Sequence, residues 1–216
     1  MKLKKLSVAC CLVLGSYTGL VLAEDASPIS ANVALTSDYV WRGTSQTDNG
    51  PAIQGGFDFA HASGFYLGVW GSNVDFKSDA NVELDLYGGY STEFASGVGL
   101  DVGVIHYDYP SESNINFEEV YLGLSYDFLS AKVSHDPDND NTYWEVGADF
   151  TLPQDFGLGL HVGYNDPDSG QEVTDWKIGV TKSFYGVDFE LAYTDTDASN
   201  NSLADGRGIL TISKSY

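Results

Sequence analysis

From residue 31 onward, apolar and polar side chains alternate with a period of two, and no long segment repeats at the 3.6-residue spacing of an amphipathic helix. Val82, Leu84 and Leu86 are interleaved with Glu83, Asp85 and Tyr87. The same rhythm returns over 120–128, 144–150, 156–164 and 187–193. It predicts about twelve strands of about nine to eleven residues, long enough to cross a membrane when tilted. They are expected near 31–42, 51–61, 64–74, 81–93, 97–109, 115–128, 130–136, 142–151, 156–165, 172–183, 186–195 and 206–216. Short connections at 61–64, 95–97, 129–130, 153–155 and 185–186 take turns with longer polar ones at 44–50, 75–80, 110–114, 136–141, 166–171 and 195–205. Bacterial outer-membrane barrels show this asymmetry, with short periplasmic turns and longer outer loops.

A soluble β-sandwich would also alternate, with its polar face in water. Long, uniform strands and the placement of the aromatics favour a barrel. Phe59, Phe65, Phe94, Phe128, Phe150, Phe156 and Phe184 fall near the short turns, and Trp41, Tyr164, Trp176 and Tyr193 near the long loops. Two such belts suit the two interfaces of a bilayer. The expected fold is therefore all-β: an antiparallel transmembrane β-barrel of about 12 strands over 24–216. At the C-terminus, Leu210, Ile212 and Tyr216 resemble the alternating, aromatic-ended signature that engages the outer-membrane assembly machinery. Lys214 departs from it, and its long side chain is expected to snorkel toward the periplasmic interface.

The N-terminus reads differently. Lys2, Lys4 and Lys5 precede an apolar run, Leu6 to Leu22, that ends in Val21-Leu22-Ala23. That is the pattern of a secretory signal peptide over 1–23. An anchor helix would be interrupted by Ser16 and Thr18, and lipidation at Cys10 would leave too short an apolar run before it. Both cysteines, Cys10 and Cys11, lie in this segment, so the exported part has no thiol for a disulfide, a metal or catalysis. The chain carries 31 acidic and 10 basic residues, a net charge of −21. Loss of the three leader lysines would take this to −24. Such a chain repels nucleic acid and attracts cations. Its 43% hydrophobic and 13% aromatic content argues against disorder.

With the apolar positions of each strand facing lipid, the alternate positions face the lumen. Candidate pore-lining residues are Asp38, Arg42, Asp58, Glu83, Asp85, Asp101, Glu119, Glu145, Asp149 and Lys177, with Gln54, Asp127, Asp175, Asp188 and Glu190 on the same parity. Tyr66, Trp70, Tyr87 and Tyr121 share it, and either fill a narrow lumen or hold sugars, nucleosides or organic cations. Bases are few, so most of these acids are expected to need water. His106 with Asp108, and His135 with Asp136, could form a rim hydrolase site, although no serine stands in a nucleophile motif. The alternating carboxylates Asp136, Asp138 and Asp140 could hold Ca²⁺, but they lack the glycine and distal glutamate of an EF-hand loop. No cofactor or metal is expected.

The segments Ser37-Asp38-Tyr39-Val40-Trp41-Arg42-Gly43, Pro51 to Asp58, Ser63 to Trp70 and Glu83 to Tyr90 resemble the TorF-type porin family, long described only as bacterial proteins of unknown function. The resemblance is strong over 31–90 and general beyond. It implies an outer-membrane barrel with a pore role and supplies no catalytic residues. The expected function is a passive channel for small solutes with a cation preference, in the outer membrane of a Gram-negative bacterium. The alternatives are a non-conducting structural or adhesion barrel and the rim hydrolase.

Overall fold

The computed structural model describes residues 27–216, and the expected signal segment, 1–23, lies outside the described residues. The strands are β1 (Ile29–Thr36), β2 (Val40–Trp41), β3 (Thr44–Ser45), β4 (Ala52–Ala60), β5 (Phe65–Asn73), β6 (Val82–Glu93), β7 (Val98–Asp108), β8 (Phe117–Tyr126), β9 (Leu129–Asp136), β10 (Asn141–Leu152), β11 (Phe156–Pro167), β12 (Val173–Phe184), β13 (Val187–Thr196) and β14 (Arg207–Ser215). Except for the small β2–β3 pair, they form one closed barrel of twelve strands. Successive barrel strands pair antiparallel, and β1 closes the ring against β14, with Val33 opposite Lys214 and Leu35 opposite Ile212. Closure leaves no unpaired sheet edge.

The polarity is the reverse of a soluble protein's. Ile53, Phe57, Leu67, Leu86 and Leu191 are exposed on the outer face, while Asp58, Glu83, Asp85, Glu119 and Asp175 are buried inside. A β-sandwich would bury the first set and expose the second. A closed barrel in lipid satisfies both sets, because every backbone group is paired and the apolar faces meet hydrocarbon. Most of the expected aromatic belt residues stand on this outer face: Phe65 packs on Tyr90, Phe128 on Phe150, Phe184 on Phe189 and Trp176 on Tyr193. Lys214 sets its ammonium 4.9 Å from the centre of the Tyr216 ring.

Four expectations need correction. The first barrel strand ends at Thr36, not at 42, and the segment beyond it turns into the interior. Trp41 therefore packs inside the barrel, against Tyr107 and Phe117, and not at a lipid interface. The β8–β9 turn is at Asp127-Phe128, with Asp127 in the left-handed region at φ 54°, so that Asp127 is a turn residue and not a lumen one. The β9–β10 connection spans only 137–140, because β9 runs through Asp136 and β10 begins at Asn141, one residue earlier than expected. Asp136 fixes it by accepting hydrogen bonds from the Asp138 and Asn139 backbone N–H groups at 2.9 and 3.1 Å, and from the Asn139 side-chain amide at 2.6 Å. These bonds occupy the Asp136 carboxylate in the turn instead of in a calcium loop.

Candidate functional site

The segment after β1 folds back into the barrel. Asp38 starts it: its carboxylate accepts from Ser45 Oγ at 2.6 Å and Thr47 Oγ1 at 3.1 Å, which draws 38–47 into a tight unit. Within it β2 and β3 pair Val40 with Ser45 and Trp41 with Thr44. Arg42 and Gly43 turn the hairpin, both with positive φ, 48° and 76°. That suits a two-residue hairpin turn, whose right-handed partner strands demand left-handed central residues.

One face of the hairpin sits on the wall formed by β5–β8. Tyr39 meets Trp70 edge-on at 5.5 Å and donates to Glu83 Oε1 at 2.7 Å. Tyr109 donates to the other Glu83 oxygen at 2.7 Å. The tip reaches the far side, where a Cβ on Gly43 would strike Thr196 and Asp175. The hairpin thus crosses the lumen. Its base is tied by Arg207, whose Nη1 lies 3.0 Å from Asp38 Oδ2. Outside the lumen, Lys77 bridges Asp48 at 2.6 Å and Asp75 at 3.0 Å, and its hydrogen bond holds the Asp75 carboxyl below the usual carboxylate range.

At the tip, the Arg42 guanidinium forms two contacts with Glu119, Nη1 to Oε1 at 2.7 Å and Nη2 to Oε2 at 2.8 Å. It lies over the rings of Trp41 and Tyr143, 4.2 and 4.1 Å from their centres. Arg42 therefore pairs across the lumen with Glu119 and with neither Asp38 nor Asp58. Beyond it is a polar chamber with about 50 Å³ of room for water, which Lys132, Ser134, Glu145 and His161 help to line. At about 30 Å³ per water in the liquid, that is space for about two. Lys132 pairs with Glu145 at 2.6 Å, and His161 stands 3.1 Å from Asp175 and 3.6 Å from Glu145. Tyr143 donates to Asp175 at 2.8 Å. Further round the wall, Lys177 pairs with Glu190 at 2.8 Å.

A second set of carboxylates is held by tyrosines. Tyr87 donates to Asp58, and Tyr66 donates to Asp101 at 2.6 Å and also meets the Tyr121 hydroxyl. Each ring crosses a gap left by glycine. Asp58 stands opposite Gly68, and Gly68 opposite Tyr87, so that the Tyr87 ring lies over Gly68. Tyr66, Gly89, Gly103 and Tyr121 form a similar row across four strands. The expectation that most acids need water is therefore corrected: bases and tyrosines satisfy most of them directly. Asp85 is different. It is 1% exposed, and neither oxygen has a hydrogen-bond partner among the described residues.

Of the residues singled out in the sequence, Arg42 and Glu119 meet at the hairpin tip, Trp70 and Glu83 both meet Tyr39, a residue outside that set, and Tyr66, Asp101 and Tyr121 form one group. Asp38 and Arg42 belong to the hairpin and not to a wall strand. Glu145 and Lys177 pair with bases or acids already described, and Asp149 is exposed near the short-turn end. Neither rim Asp/His pair forms. His106 is 3.3 Å from Glu118, while Asp108 accepts from Asn116. His135 meets Thr142, and Asp136 caps its turn. Sequence reasoning misses Tyr107, Lys132, Tyr143 and His161 as site residues, although strand parity alone places them with Glu119 and Glu145. It could not find the aromatic seat of Trp41, which depends on the inward fold.

A family model described as a bacterial protein of unknown function, Gcw_chp, matches residues 22–215. That span includes the segments that resemble the TorF-type porins, but the description carries no TorF designation. A search of curated proteins finds no match. Among solved structures, a KdgM porin superposes with a TM-score of 0.62 at 13% identity, covering 87% of this chain and 99% of that one. A KdgM porin in complex with disordered oligogalacturonate gives 0.58 at 14% identity, covering 87% and 98%. A NanC porin gives 0.58 at 9% identity, covering 86% and 97%. At such identities the likeness is one of fold.

Proposed function

We propose that this chain, which belongs to the Gcw_chp family of bacterial proteins of unknown function, is an outer-membrane channel that lets small solutes diffuse through and prefers cations. The carrying observation is the charge of the inner wall. Arg42, Lys132 and Lys177 are each matched by one acid, at Glu119, Glu145 and Glu190. Asp58, Glu83, Asp85 and Asp101 remain on the β4–β7 wall with tyrosine hydroxyls or no hydrogen-bond partner, so this wall presents acidic groups without matching bases. Carboxylates lining a narrow pore concentrate cations and exclude anions. The same wall is poorly suited to a polyanion such as the oligogalacturonate of the KdgM complex. In this reading a signal peptide over 1–23 directs export, the short turns face the periplasm, and the last strand engages the assembly machinery. In this reading Asp38, Arg42, Asp58, Glu83, Asp85, Asp101, Glu119, Glu145, Asp149 and Lys177 line the solute's path, with Tyr66, Trp70, Tyr87 and Tyr121 narrowing it. The purified protein in a planar bilayer should conduct, and a KCl gradient should give a reversal potential of the sign for K⁺ over Cl⁻. Anion preference would remove the charge argument.

One observation favours a second reading. The β2–β3 hairpin crosses the lumen and is tied at both ends, as in a plugged, non-conducting structural or adhesion barrel. A flat current from folded protein would select it.

A further inference from the structure

Arg42 is held like a ligand. Its guanidinium is paired through two nitrogens with one carboxylate and lies over two aromatic rings, the combination by which proteins recognise free guanidinium groups. It is delivered by a two-residue turn on a hairpin that is not part of the barrel wall. Glu119 and Tyr143 belong to the rigid wall, on β8 and β10. A second acid stands next to the site. Asp85 is opposite Tyr107, which donates to Glu119 at 3.3 Å, and it is buried with neither oxygen hydrogen-bonded among the described residues. A buried carboxyl group without a partner is costly, and a cationic donor brought beside it lowers that cost.

We propose that Arg42 is a tethered occupant of a binding station for solutes that carry a guanidinium group, formed by Glu119 and Tyr143 with Asp85 beside them, and that such a solute displaces Arg42 as it passes. The inference deepens the channel reading and rests on it for the route of entry, though not for the binding itself. Exchange is feasible because the incoming guanidinium remakes the contacts that the tethered one gives up. What remains is competition between free solute and a tethered rival of millimolar effective concentration. The rival lowers the apparent affinity by the fraction of time the site is free, so if Arg42 occupies it nine-tenths of the time, its removal tightens binding about tenfold.

The test is isothermal titration of the purified, detergent-folded barrel with methylguanidinium at constant ionic strength, with tetramethylammonium and urea as controls for charge and for planar shape. The unmodified protein should bind methylguanidinium saturably and bind neither control. Arg42→Ala should bind about tenfold more tightly, and Asp85→Asn should weaken binding several-fold. The double variant Arg42→Ala/Glu119→Gln, which strands no charge, should lose binding, whereas Glu172→Gln, in the exposed β11–β12 loop where Glu172 accepts from Tyr164, should bind like the unmodified protein. Circular dichroism checks that each variant keeps its β-sheet. Binding confined to Arg42→Ala would overturn displacement, and equal binding of tetramethylammonium, or retained binding in the double variant, would overturn the station. A flat bilayer current with the binding series intact would count against the channel and not against the station. A conducting protein that binds no methylguanidinium would do the reverse.

Discussion

Tyr87 and Asp58 meet although a whole strand separates them, because Gly68 lies between them in register and leaves room for the ring. A buried carboxylate needs a donor, and the phenol supplies one without bringing in another charge. Tyr87→Phe should therefore destabilise the barrel by about 1–3 kcal/mol, the cost of stranding a buried polar group. Adding Asp58→Asn should recover part of that loss, since an amide costs less to bury alone than a charge. Urea unfolding in lipid vesicles, compared across the two single variants and the double, measures the coupling. Gly68→Ala gives an independent check. On a strand, alanine is ordinarily the better residue. Here its methyl would occupy the space of the Tyr87 ring, so the substitution should destabilise instead. A stabilised Gly68→Ala would show that the ring does not hold this seat.

The twelve wall strands were legible because each one shows a single face to lipid, and period-two alternation is the direct record of that. Val82 to Tyr87 could be read almost residue by residue. The β2–β3 hairpin could not, since Tyr39, Val40 and Trp41 are strand-forming residues that extend the β1 pattern without a visible break. What turns them inward is tertiary: Asp38 gathering Ser45 and Thr47, Tyr39 on Trp70, and Arg42 on Glu119. The same limit applies to the site. Parity identified which side chains face inward, but not that tyrosines would reach over glycines to carboxylates. The hairpin also has a testable weakness at its base, where Arg207 ties Asp38. Arg207→Ala should free one end while leaving the barrel strands paired. If the protein conducts, open-channel current should rise and become noisier, with unchanged circular dichroism. An unchanged current would mean that the hairpin does not set the constriction.

Across the whole molecule the decisive quantity is the uneven distribution of charge inside the ring. On the β8–β13 side Lys132 and Lys177 pair with Glu145 and Glu190, and Tyr143 donates to Asp175. The β4–β7 side carries Asp58, Glu83, Asp85 and Asp101 with no base in direct contact. A cation crossing the barrel therefore passes an attractive wall, and an anion a repulsive one. The effect is long-range and must weaken with salt, as the Debye length falls from about 30 Å at 0.01 M to about 3 Å at 1 M. K⁺ over Cl⁻ selectivity should accordingly be strong in dilute KCl and fade towards 1 M. Size sieving would not show that dependence. The triple variant Glu83→Gln, Asp85→Asn, Asp101→Asn keeps oxygen acceptors for Tyr39, Tyr109 and Tyr66 and removes three charges. It should lose most of the low-salt selectivity with little change in β-sheet content. If the triple variant retained full selectivity at 0.01 M, the charge that selects would have to lie elsewhere, and the acidic outer loops would be the next place to test.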